Sequence, residues 1–297
     1  MSLDSWILFN AHPERDRRLL NALLKRFGAP EGILGATVHQ LSHVPGVSEK
    51  FAQNLLLQEK QFPLPLEKET IEKDGIRLIP ITHPEYPLNL KNMASPPPLL
   101  YTKGTLIPED RYSVGVVGSR QNTSYGRRIC EEIVGDLAKK GITIVSGMAR
   151  GIDSLAHHFA IKNAGRTLAV LGNGLSLCYP PENKELLEQI ISHGAAISEY
   201  PMTTYPVKKN FPERNEIIAG LSLGVLVVEA NQKSGSLITA RAALEENRSV
   251  YAVPGNIFKN AYRGTNDLIR QGAQMVRSAD DIMEDLSLSM YGMLQEE

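Results

Sequence analysis

Seven short, nearly continuous apolar runs mark the chain between residues 111 and 282. They read "SVGVVGS", "ITIVSG", "RTLAVLGNG", "AAISEY", "GVLVVEA", "SVYAVPG" and "AQMVRS". Helix-patterned stretches such as "YGRRICEEIVGDLAKK" and "NKELLEQIISHG" separate nearly all of them. Apolar strands spaced by helices are typical of a parallel sheet covered on both faces. We therefore predict an α/β fold, an extended Rossmann-like, doubly wound and mostly parallel sheet, over residues 111–285.

Residues 1–62 have a helical pattern and are predicted to form a small all-helical module. Within it, "LSHVPGVSEKFAQNLL" (41–56) places a turn between two amphipathic helices. This resembles a helix-hairpin-helix or sterile-alpha-motif-like unit, whose hairpin amides can hold a DNA phosphate. Ser48 stands where such a hairpin usually has its second glycine. The alternative is a module used for packing or for contacts with a partner protein.

Residues 63–110 are rich in proline, which excludes a long helix but allows edge strands. The runs "IRLIPI" (76–81) and "PLLYTKG" (98–104) are predicted strands. Their aliphatic and tyrosine content favours a packed extension of the Rossmann domain over a flexible linker. Residues 286–297 are predicted to be a C-terminal tail without a winged-helix domain.

The amino-acid composition excludes few classes of function. The 297 residues are 42% hydrophobic, 22% charged and carry a formal net charge of −1, as in an ordinary globular protein. Any anion site must therefore come from local clustering of basic groups. Cys130 and Cys178 lack metal-ligand spacing and are expected to be reduced thiols. The chain has neither a signal-peptide pattern nor an apolar run of about 18–20 residues, so we expect a cytoplasmic protein without a membrane partner.

Glycine or small polar residues follow almost every predicted strand of the Rossmann domain. In open α/β sheets, ligands bind outside the carboxyl ends of the strands. Glycine allows close approach of the backbone, and amides at helix N-termini favour anions. The sequence therefore predicts a long, shallow anion-binding rim, although any single such turn also has a purely geometric explanation. The rim comprises Gly118-Ser119-Arg120, Ser146-Gly147-Met148-Ala149-Arg150-Gly151, Gly172-Asn173-Gly174, Glu229-Ala230-Asn231 with the following "QKSGSLIT" (232–239), and Pro254-Gly255-Asn256. Within it, "KSGS" (233–236) is the sharpest signal, because Lys233 places a charge beside a helix start.

The segment "YPVKKNFPERNEIIAGLS" (205–222) carries a second pattern. Lys208, Lys209 and Arg214 flank Phe211. Cations that neutralise phosphates, interleaved with a ring that stacks on a base, suit single-stranded nucleic acid. The alternative is that Phe211 anchors the core and the lysines are merely solvated.

Catalytic arrangements are poor. No Walker lysine motif and no G-x-S-x-G elbow occurs, and the adjacent His157 and His158 point to different sides of a helix. Asp153 is explained by helix capping, and Glu229 has no evident partner for chemistry. We expect no catalytic residues, no metal and no cofactor.

Seven ordered blocks resemble the DNA-processing protein A (DprA/Smf) family. They read "GVVGSRQNTSYG", "SGMARGIDSLAHHFAI", "AVLGNGLSLCYPPEN", "ISEYP", "FPERNEIIAGLS", "VVEANQKSGSLITA" and "VYAVPGNIFKNAYRGTNDLIRQGA". Together with "HPEYPLNLKNMASPPPLLYTKG", the resemblance runs from about residue 79 to about residue 282. The order and number of these blocks make it specific.

The resemblance implies a protein that binds and protects single-stranded DNA and is not an enzyme. It also implies loading of RecA recombinase during natural transformation, contact with single-strand-binding protein, and a homodimer. The family's DNA pocket uses residues that match Arg120, Lys208, Phe211 and Lys233. We expect these cations to line one groove in which Phe211 stacks a base. The full candidate DNA-binding set is Gly118, Ser119, Arg120, Ser146, Gly147, Met148, Lys208, Phe211, Arg214, Asn215, Lys233, Ser234, Gly235 and Ser236.

Two other functions compete with this one. A more distant resemblance is to nucleotide-binding phosphoribohydrolases, whose G-G-x-G-T-x-E-E loop carries catalytic carboxylates. Here the turn reads "SGSLIT", so Ile238 and Thr239 stand where the acids should be. The third candidate is a purely structural role.

Overall fold

The computed structural model describes residues 2–12 and 14–293, and its centre is a single nine-stranded sheet. The strand order is β1-β2-β6-β5-β4-β3-β7-β8-β9, with the pairs from β6 to β9 parallel and β1 and β2 antiparallel. The predicted fold class is confirmed. The strands are β1 Arg77–Pro80, β2 Leu99–Gly104, β3 Ser113–Val117, β4 Thr143–Ser146, β5 Thr167–Val170, β6 Gly194–Ser198, β7 Gly224–Val227, β8 Ser249–Ala252 and β9 Gln274–Met275.

Helices cover both faces of this sheet. They are α1 Leu3–Asn10, α2 Arg17–Phe27, α3 Pro30–Leu34, α4 Val38–Ser42, α5 Glu49–Gln61, α6 Leu64–Asp74, α7 Leu88–Lys91, α8 Ser124–Ile129, α9 Gly135–Lys139, α10 Ile152–Lys162, α11 Lys184–His193, α12 Asn210–Leu221, α13 Ser236–Glu245, α14 Arg263–Arg270 and α15 Ala279–Met293. A π-helical turn, Cys130–Val134, joins α8 to α9.

Alternate residues of each strand face opposite cores, as the pleat requires. Ile144 of β4 packs with residues of α9 and α10 on one face, and its neighbour Val145 packs with residues of α12 and α13 on the other. Strands buried on both sides explain why the sequence shows continuous apolar runs instead of alternation.

The strand order reverses between β3 and β7. From β3 the chain winds outward through β4, β5 and β6, and it then returns to place β7 on the other side of β3. The connections on the two sides therefore diverge and leave a crevice at the carboxyl ends of β3 and β7. This reversal is the place where open α/β sheets bind ligands.

Helices α1 to α5 occupy the region predicted to be helical, of which residues 1 and 13 lie outside the described residues. Ser48 caps α5, because its hydroxyl accepts a hydrogen bond from the amide of Phe51 at 3.1 Å. Trp6 and Ile7 of α1 are buried in a core that also contains sheet residues. The helices therefore pack directly against the Rossmann domain.

The proline-rich region contains a helix that we did not predict, α6. Pro63 precedes this helix and Pro65 lies in its first turn, where a missing amide hydrogen costs no helical hydrogen bond. Proline density therefore misled the prediction for this segment. The predicted strands of the region form β1 and β2, which extend the sheet beyond β6.

At the C-terminus, α15 continues past residue 285 into the segment predicted to be a tail. Leu286 of this helix is fully buried in the core formed with α9 and α10. Residues 294–297 of the predicted tail lie outside the described residues. Within the described ranges, no helix combines the length and apolarity needed to cross a membrane.

Candidate functional site

A pocket of about 470 Å³ lies at the strand-order reversal. The loops after β3 and β7 form two of its sides, and the start of α12 forms a third. Nine of the fourteen predicted site residues line it: Gly118, Ser119, Arg120, Phe211, Arg214, Asn215, Ser234, Gly235 and Ser236. The remainder of the wall consists of Val117, Gln121, Ala149, Asp153, Pro212, Asn231, Ile238 and Thr239.

The loop after β3 is held by backbone hydrogen bonds on both sides. The amide of Ser119 donates to the carbonyl of Glu229 at 2.9 Å, and the carbonyl of Ser119 accepts from the amide of Ile152 at 3.1 Å. A Cβ atom at Gly118 would lie 2.6 Å from Ile152, so no larger residue fits there. This close packing fixes the loop and leaves Arg120 exposed at its tip.

The N-terminus of α8, which follows this loop, is already occupied. The amide and the hydroxyl of Thr123 each donate to the carboxylate of Glu229 at 2.8 Å. Burial raises the pKa of Glu229, and the bonds from Thr123 oppose this shift. The carboxylate of Glu229 therefore takes up the amide at the start of α8, and Arg120 is the exposed charged group of this loop.

Phe211 lies beside two guanidinium groups at the start of α12. Its ring centre is 5.6 Å from Cζ of Arg120 and 5.9 Å from Cζ of Arg214. A Cβ atom at Gly172 would lie 3.1 Å from the Phe211 ring, so the glycine lets the ring lie close to the backbone after β5. The ring is only partly buried. A charged group and an accessible aromatic surface thus meet in one pocket.

Arg214 is buried beneath the pocket instead of reaching into solvent. Its Nη1 donates to the carbonyl of Val170 at 2.8 Å and also to the carbonyl of Gly147. Burial lowers the pKa of Arg214, and the charge of Asp153 raises it again. The guanidinium therefore joins the ends of β4 and β5 and supports the pocket floor.

Among the described residues that line the pocket, Asp153 is the one with a carboxylate side chain. Burial raises its pKa to about 6, against the charges of Arg214 and Arg120 and the amide hydrogen bonds of Ala149 and Gly147. The sequence explained this residue as a helix cap. Its place beneath the pocket depends on the packing of α10 under the loop after β3, which a local motif does not reveal.

Other predicted site residues lie outside this pocket. Ser146 is buried and its hydroxyl donates to the carbonyl of Val116 at 2.6 Å, and Met148 is fully buried in the core. Neither side chain is therefore available to a ligand. Gly147 lines a smaller cavity next to the pocket.

Lys208 and Lys233 are exposed near the pocket but do not form its wall. Within the described ranges, neither lysine forms an ion pair, and Arg120 forms none either. Acidic groups elsewhere pair with other cations, as Asp110 does with Arg166. The three cations therefore remain available to an anionic ligand.

Tyr179 lies beside Phe211, and the sequence analysis did not single it out. Its ring centre is 5.9 Å from that of Phe211. The block "AVLGNGLSLCYPPEN" contains this tyrosine after a strand, but the predicted rim included only the glycines that come directly after that strand.

The groups considered for catalysis are structural. His157 is fully buried, with its Nδ1 2.6 Å from the hydroxyl of Thr167, and burial lowers its pKa to about 3. Ile238 and Thr239 line the pocket at the position where a phosphoribohydrolase would carry its acids. The pocket can hold an anion and stack a ring, but it lacks a paired acid and base among the described residues.

Comparison with known proteins gives the same family from sequence and from structure. The family model described as DNA recombination-mediator protein A matches residues 77–287. DNA processing protein DprA of Bacillus subtilis (strain 168) is 44% identical over 231 residues, which are 77% of this chain and 77% of that protein.

Two solved structures resemble this fold, one over nearly the whole chain and the other over about three quarters of it. The X-ray structure of DNA processing protein A from Streptococcus pneumoniae matches with a TM-score of 0.82 at 32% identity, covering 95% of this chain and 97% of the other. DNA processing protein A from Helicobacter pylori, described for its unique single-stranded DNA binding mode, matches with a TM-score of 0.65 at 28% identity. This second match covers 72% of this chain and 96% of the other.

Proposed function

The chain belongs to the DNA recombination-mediator protein A family, and we propose that it binds single-stranded DNA in the pocket between β3 and β7. The observation that carries this proposal is the pairing of Arg120 with Phe211 at the mouth of the pocket. An exposed cation neutralises a phosphate, and the ring beside it stacks on the base of the same strand.

The remaining cations extend this contact. Lys208 lies just before α12, the helix that contains Phe211. Lys233 lies just before α13, and the first residue of that helix, Ser236, lines the pocket. Both lysines are exposed and can reach a backbone that crosses the pocket mouth. Contacts of this kind act on phosphates and ring faces, which all nucleotides share. We therefore expect weak sequence preference.

The same family membership supports the finer function. We propose that the protein protects incoming single-stranded DNA and loads RecA recombinase onto it during natural transformation and recombination. Its proposed partners are RecA, single-strand-binding protein and a second copy of this chain, and its proposed location is the cytoplasm.

We propose that the protein is not an enzyme. Glu229 is committed to Thr123, and Asp153 is buried against Arg214. General acid–base chemistry needs a group within hydrogen-bonding reach of a substrate. Glu229 is held by Thr123, and among the described residues of the pocket wall no second carboxyl, histidine or lysine accompanies Asp153 as an acid–base partner.

The direct test is fluorescence anisotropy with a labelled oligo-dT strand, competed with duplex DNA and with mononucleotides. We expect salt-sensitive binding to the strand, weak competition by duplex and no turnover of nucleotides. Absence of strand binding, together with tight binding of a mononucleotide, would instead make the pocket a small-molecule site. Release of free base from a nucleoside monophosphate would support the phosphoribohydrolase alternative.

A further inference from the structure

Tyr179 lies next to Phe211 on the side away from the main pocket. The two ring centres are 5.9 Å apart and the ring planes are inclined by 36°. Tyr179 belongs to the loop that follows β5, and 37% of its surface is exposed. A second, partly exposed aromatic ring therefore lies next to the proposed stacking residue Phe211.

A small cavity of about 20 Å³ connects the two rings to the main pocket. Tyr179 and Arg150 line only the small cavity, whereas Arg120, Phe211 and Arg214 line both spaces. The open surface therefore continues from the main pocket, over Phe211, to Tyr179. A strand seated on Arg120 and Phe211 would pass Tyr179 with its next nucleotide.

The ring spacing decides how Tyr179 could contact a base. Carbon atoms pack best at about 3.5–4.0 Å, so a base sandwiched between two parallel rings needs them about 7 Å apart. The rings of Tyr179 and Phe211 are closer than this and are not parallel. They therefore form one angled surface for two successive bases, and not a slot for a single base.

The surroundings of Tyr179 fit this arrangement. Its hydroxyl interacts with the guanidinium of Arg150, which also forms an exposed ion pair with Glu182. This contact holds the hydroxyl end of the side chain, while the residue as a whole stays more than one third exposed. An exposed ion pair is weak, so Arg150 is free to exchange Glu182 for a phosphate.

We propose that Tyr179 is a second base-stacking residue, which takes the base adjacent to the one that stacks on Phe211. This inference rests on the proposed binding of single-stranded DNA at Phe211. The inference also gives the path of the bound strand over the protein surface, from the pocket between β3 and β7 toward the end of β5.

The first test separates the ring of Tyr179 from its hydroxyl. Loss of one stacked base corresponds to a reduction in affinity of about 5- to 150-fold. We expect Tyr179→Ala to weaken binding to oligo-dT by this factor without changing the salt dependence, and Tyr179→Phe to bind nearly as wild type does. An equal loss in both variants would overturn the stacking role, because it would assign the effect to the hydroxyl.

The second test removes the base instead of the ring. On a strand of the same length made of abasic nucleotides, wild type and Tyr179→Ala should bind with equal affinity, since no base remains to stack. A loss of affinity for the abasic strand in Tyr179→Ala would show that Tyr179 only supports the shape of the site, and this would overturn the proposal.

A fluorescent variant keeps the proposal testable if Tyr179→Ala does not fold. The sole tryptophan of the chain, Trp6, is 1% exposed, so a Tyr179→Trp variant gains one accessible indole. Stacked bases should quench it with oligo-dT but not with the abasic strand. Leu88→Trp, at an exposed position near the opposite edge of the sheet, is the matched control and should not respond.

The outcomes distinguish this inference from the proposed function. If wild type does not bind oligo-dT, the proposed function fails and the inference falls with it. If wild type binds, Phe211→Ala weakens binding and Tyr179 variants neither weaken it nor report quenching, the inference alone is wrong.

Discussion

The guanidinium carbon of Arg120 lies 5.6 Å from the centre of the Phe211 ring, although the two residues come from different parts of the chain. Arg120 follows β3, and Phe211 lies at the start of α12, which leads into β7. The pairing of β3 with β7 brings these connections together. A cation and a ring at this distance attract each other and present one mixed surface to a ligand. In the proposed function, this surface takes the phosphate and the base of one nucleotide.

Arg120 and Lys208 should act on the phosphates of the strand. A protein that neutralises phosphates of a single strand binds with a logarithmic salt slope of roughly −0.7 per phosphate. We expect Arg120→Ala and Lys208→Ala each to weaken binding to every sequence similarly and to reduce the slope by about 0.7. Anisotropy titrations with oligo-dT at several salt concentrations measure both quantities.

Lys139→Ala is the control for this pair of variants. Lys139 is 60% exposed and lies at the end of α9, in an ion pair with Asp136. It is exposed and positively charged, as Arg120 and Lys208 are, but it lies outside the pocket wall. An equal change of slope in Lys139→Ala would mean that general surface charge, and not the pocket, sets the salt dependence.

Phe211 should contribute by stacking and not by charge. A stacked base is worth about 1–3 kcal/mol on alanine substitution. We expect Phe211→Ala to lose this amount at low and high salt alike, and Phe211→Tyr to retain most of the affinity. Competition titrations at two salt concentrations give the result. Unchanged affinity in Phe211→Ala would contradict the stacking role.

Arg214 should affect stability more than binding. Its buried guanidinium joins the carbonyls of Gly147 and Val170, and a lysine cannot reproduce two such bonds from one planar group. We expect Arg214→Lys to lower the free energy of unfolding by about 2–4 kcal/mol, as for other broken buried polar networks. The salt slope of the folded variant should stay at the wild-type value.

Urea unfolding and the salt titration together check this prediction. Arg120→Lys is the matched control, because Arg120 is exposed and the same substitution there should leave the free energy of unfolding within about 0.5 kcal/mol of wild type. A reduced salt slope with unchanged stability in Arg214→Lys would instead make Arg214 a direct phosphate ligand.

The sequence predicted the sheet well because its strands are buried on both faces. Continuous apolar runs such as "GVVGS" and "VLVVEA" are too short for a buried helix and rich in valine, and the glycines or small polar residues that follow such runs locate the carboxyl edge. The same logic found Gly118 and Ser234, which line the pocket. It did not find α6, because proline in a first helical turn looks the same in sequence as proline in a loop.

Side-chain direction could not be predicted in the same way. Arg214 and Phe211 are neighbours in the basic segment, yet one is buried under the pocket and the other faces it. The difference arises from the carbonyls of Gly147 and Val170, which belong to other strands. Tyr179 was missed for a related reason, since its contact with Phe211 exists only after the loop beyond β5 has folded back.

A buried ion pair should couple the helical N-terminal region to α12. Arg17 of α2 donates from Nε to the carboxylate of Glu199 at 2.9 Å and from Nη2 to the carbonyl of Glu213 at 2.8 Å. Burial disfavours the charge of Glu199, but Arg17 more than compensates, so the net pKa of Glu199 is lowered. A lowered pKa contributes stability that is present above the ordinary value of 4.5 and lost as the pH falls through the folded value.

We expect Arg17→Met to lower the free energy of unfolding at neutral pH by about 3–5 kcal/mol, because it leaves Glu199 buried without its counter-charge. The loss should be smaller at about pH 4, because burial without Arg17 raises the pKa of Glu199 in the variant and the protonated carboxyl carries no buried charge. Urea unfolding at the two pH values measures this difference. Arg17→Met combined with Glu199→Gln should recover part of the stability, and no recovery would contradict the ion-pair explanation.

Binding should strengthen on mild acidification because of Asp153. Burial raises the pKa of this carboxyl to about 6, so it is charged at neutral pH and becomes neutral below that value. Its negative charge lies beneath the pocket and offsets part of the attraction that Arg120 and Arg214 exert on phosphates. His157 is neutral over this range, since burial lowers its pKa to about 3. The raised pKa of Asp153 also means that its contribution to stability is greatest below the ordinary value of 3.8 and is lost as the pH rises through about 6.

We therefore expect the dissociation constant for oligo-dT to fall by about two- to fivefold between about pH 7.5 and about pH 5.5, which corresponds to a coupling of roughly 0.5–1 kcal/mol between one charge and the bound phosphates. Asp153→Asn should bind at both pH values as tightly as wild type does at the lower one. Asp136→Asn, at an exposed site on α9, should retain the wild-type pH dependence. If Asp153→Asn still responded to pH as wild type does, the titrating group would have to be a different one, because the asparagine carries no proton in this range.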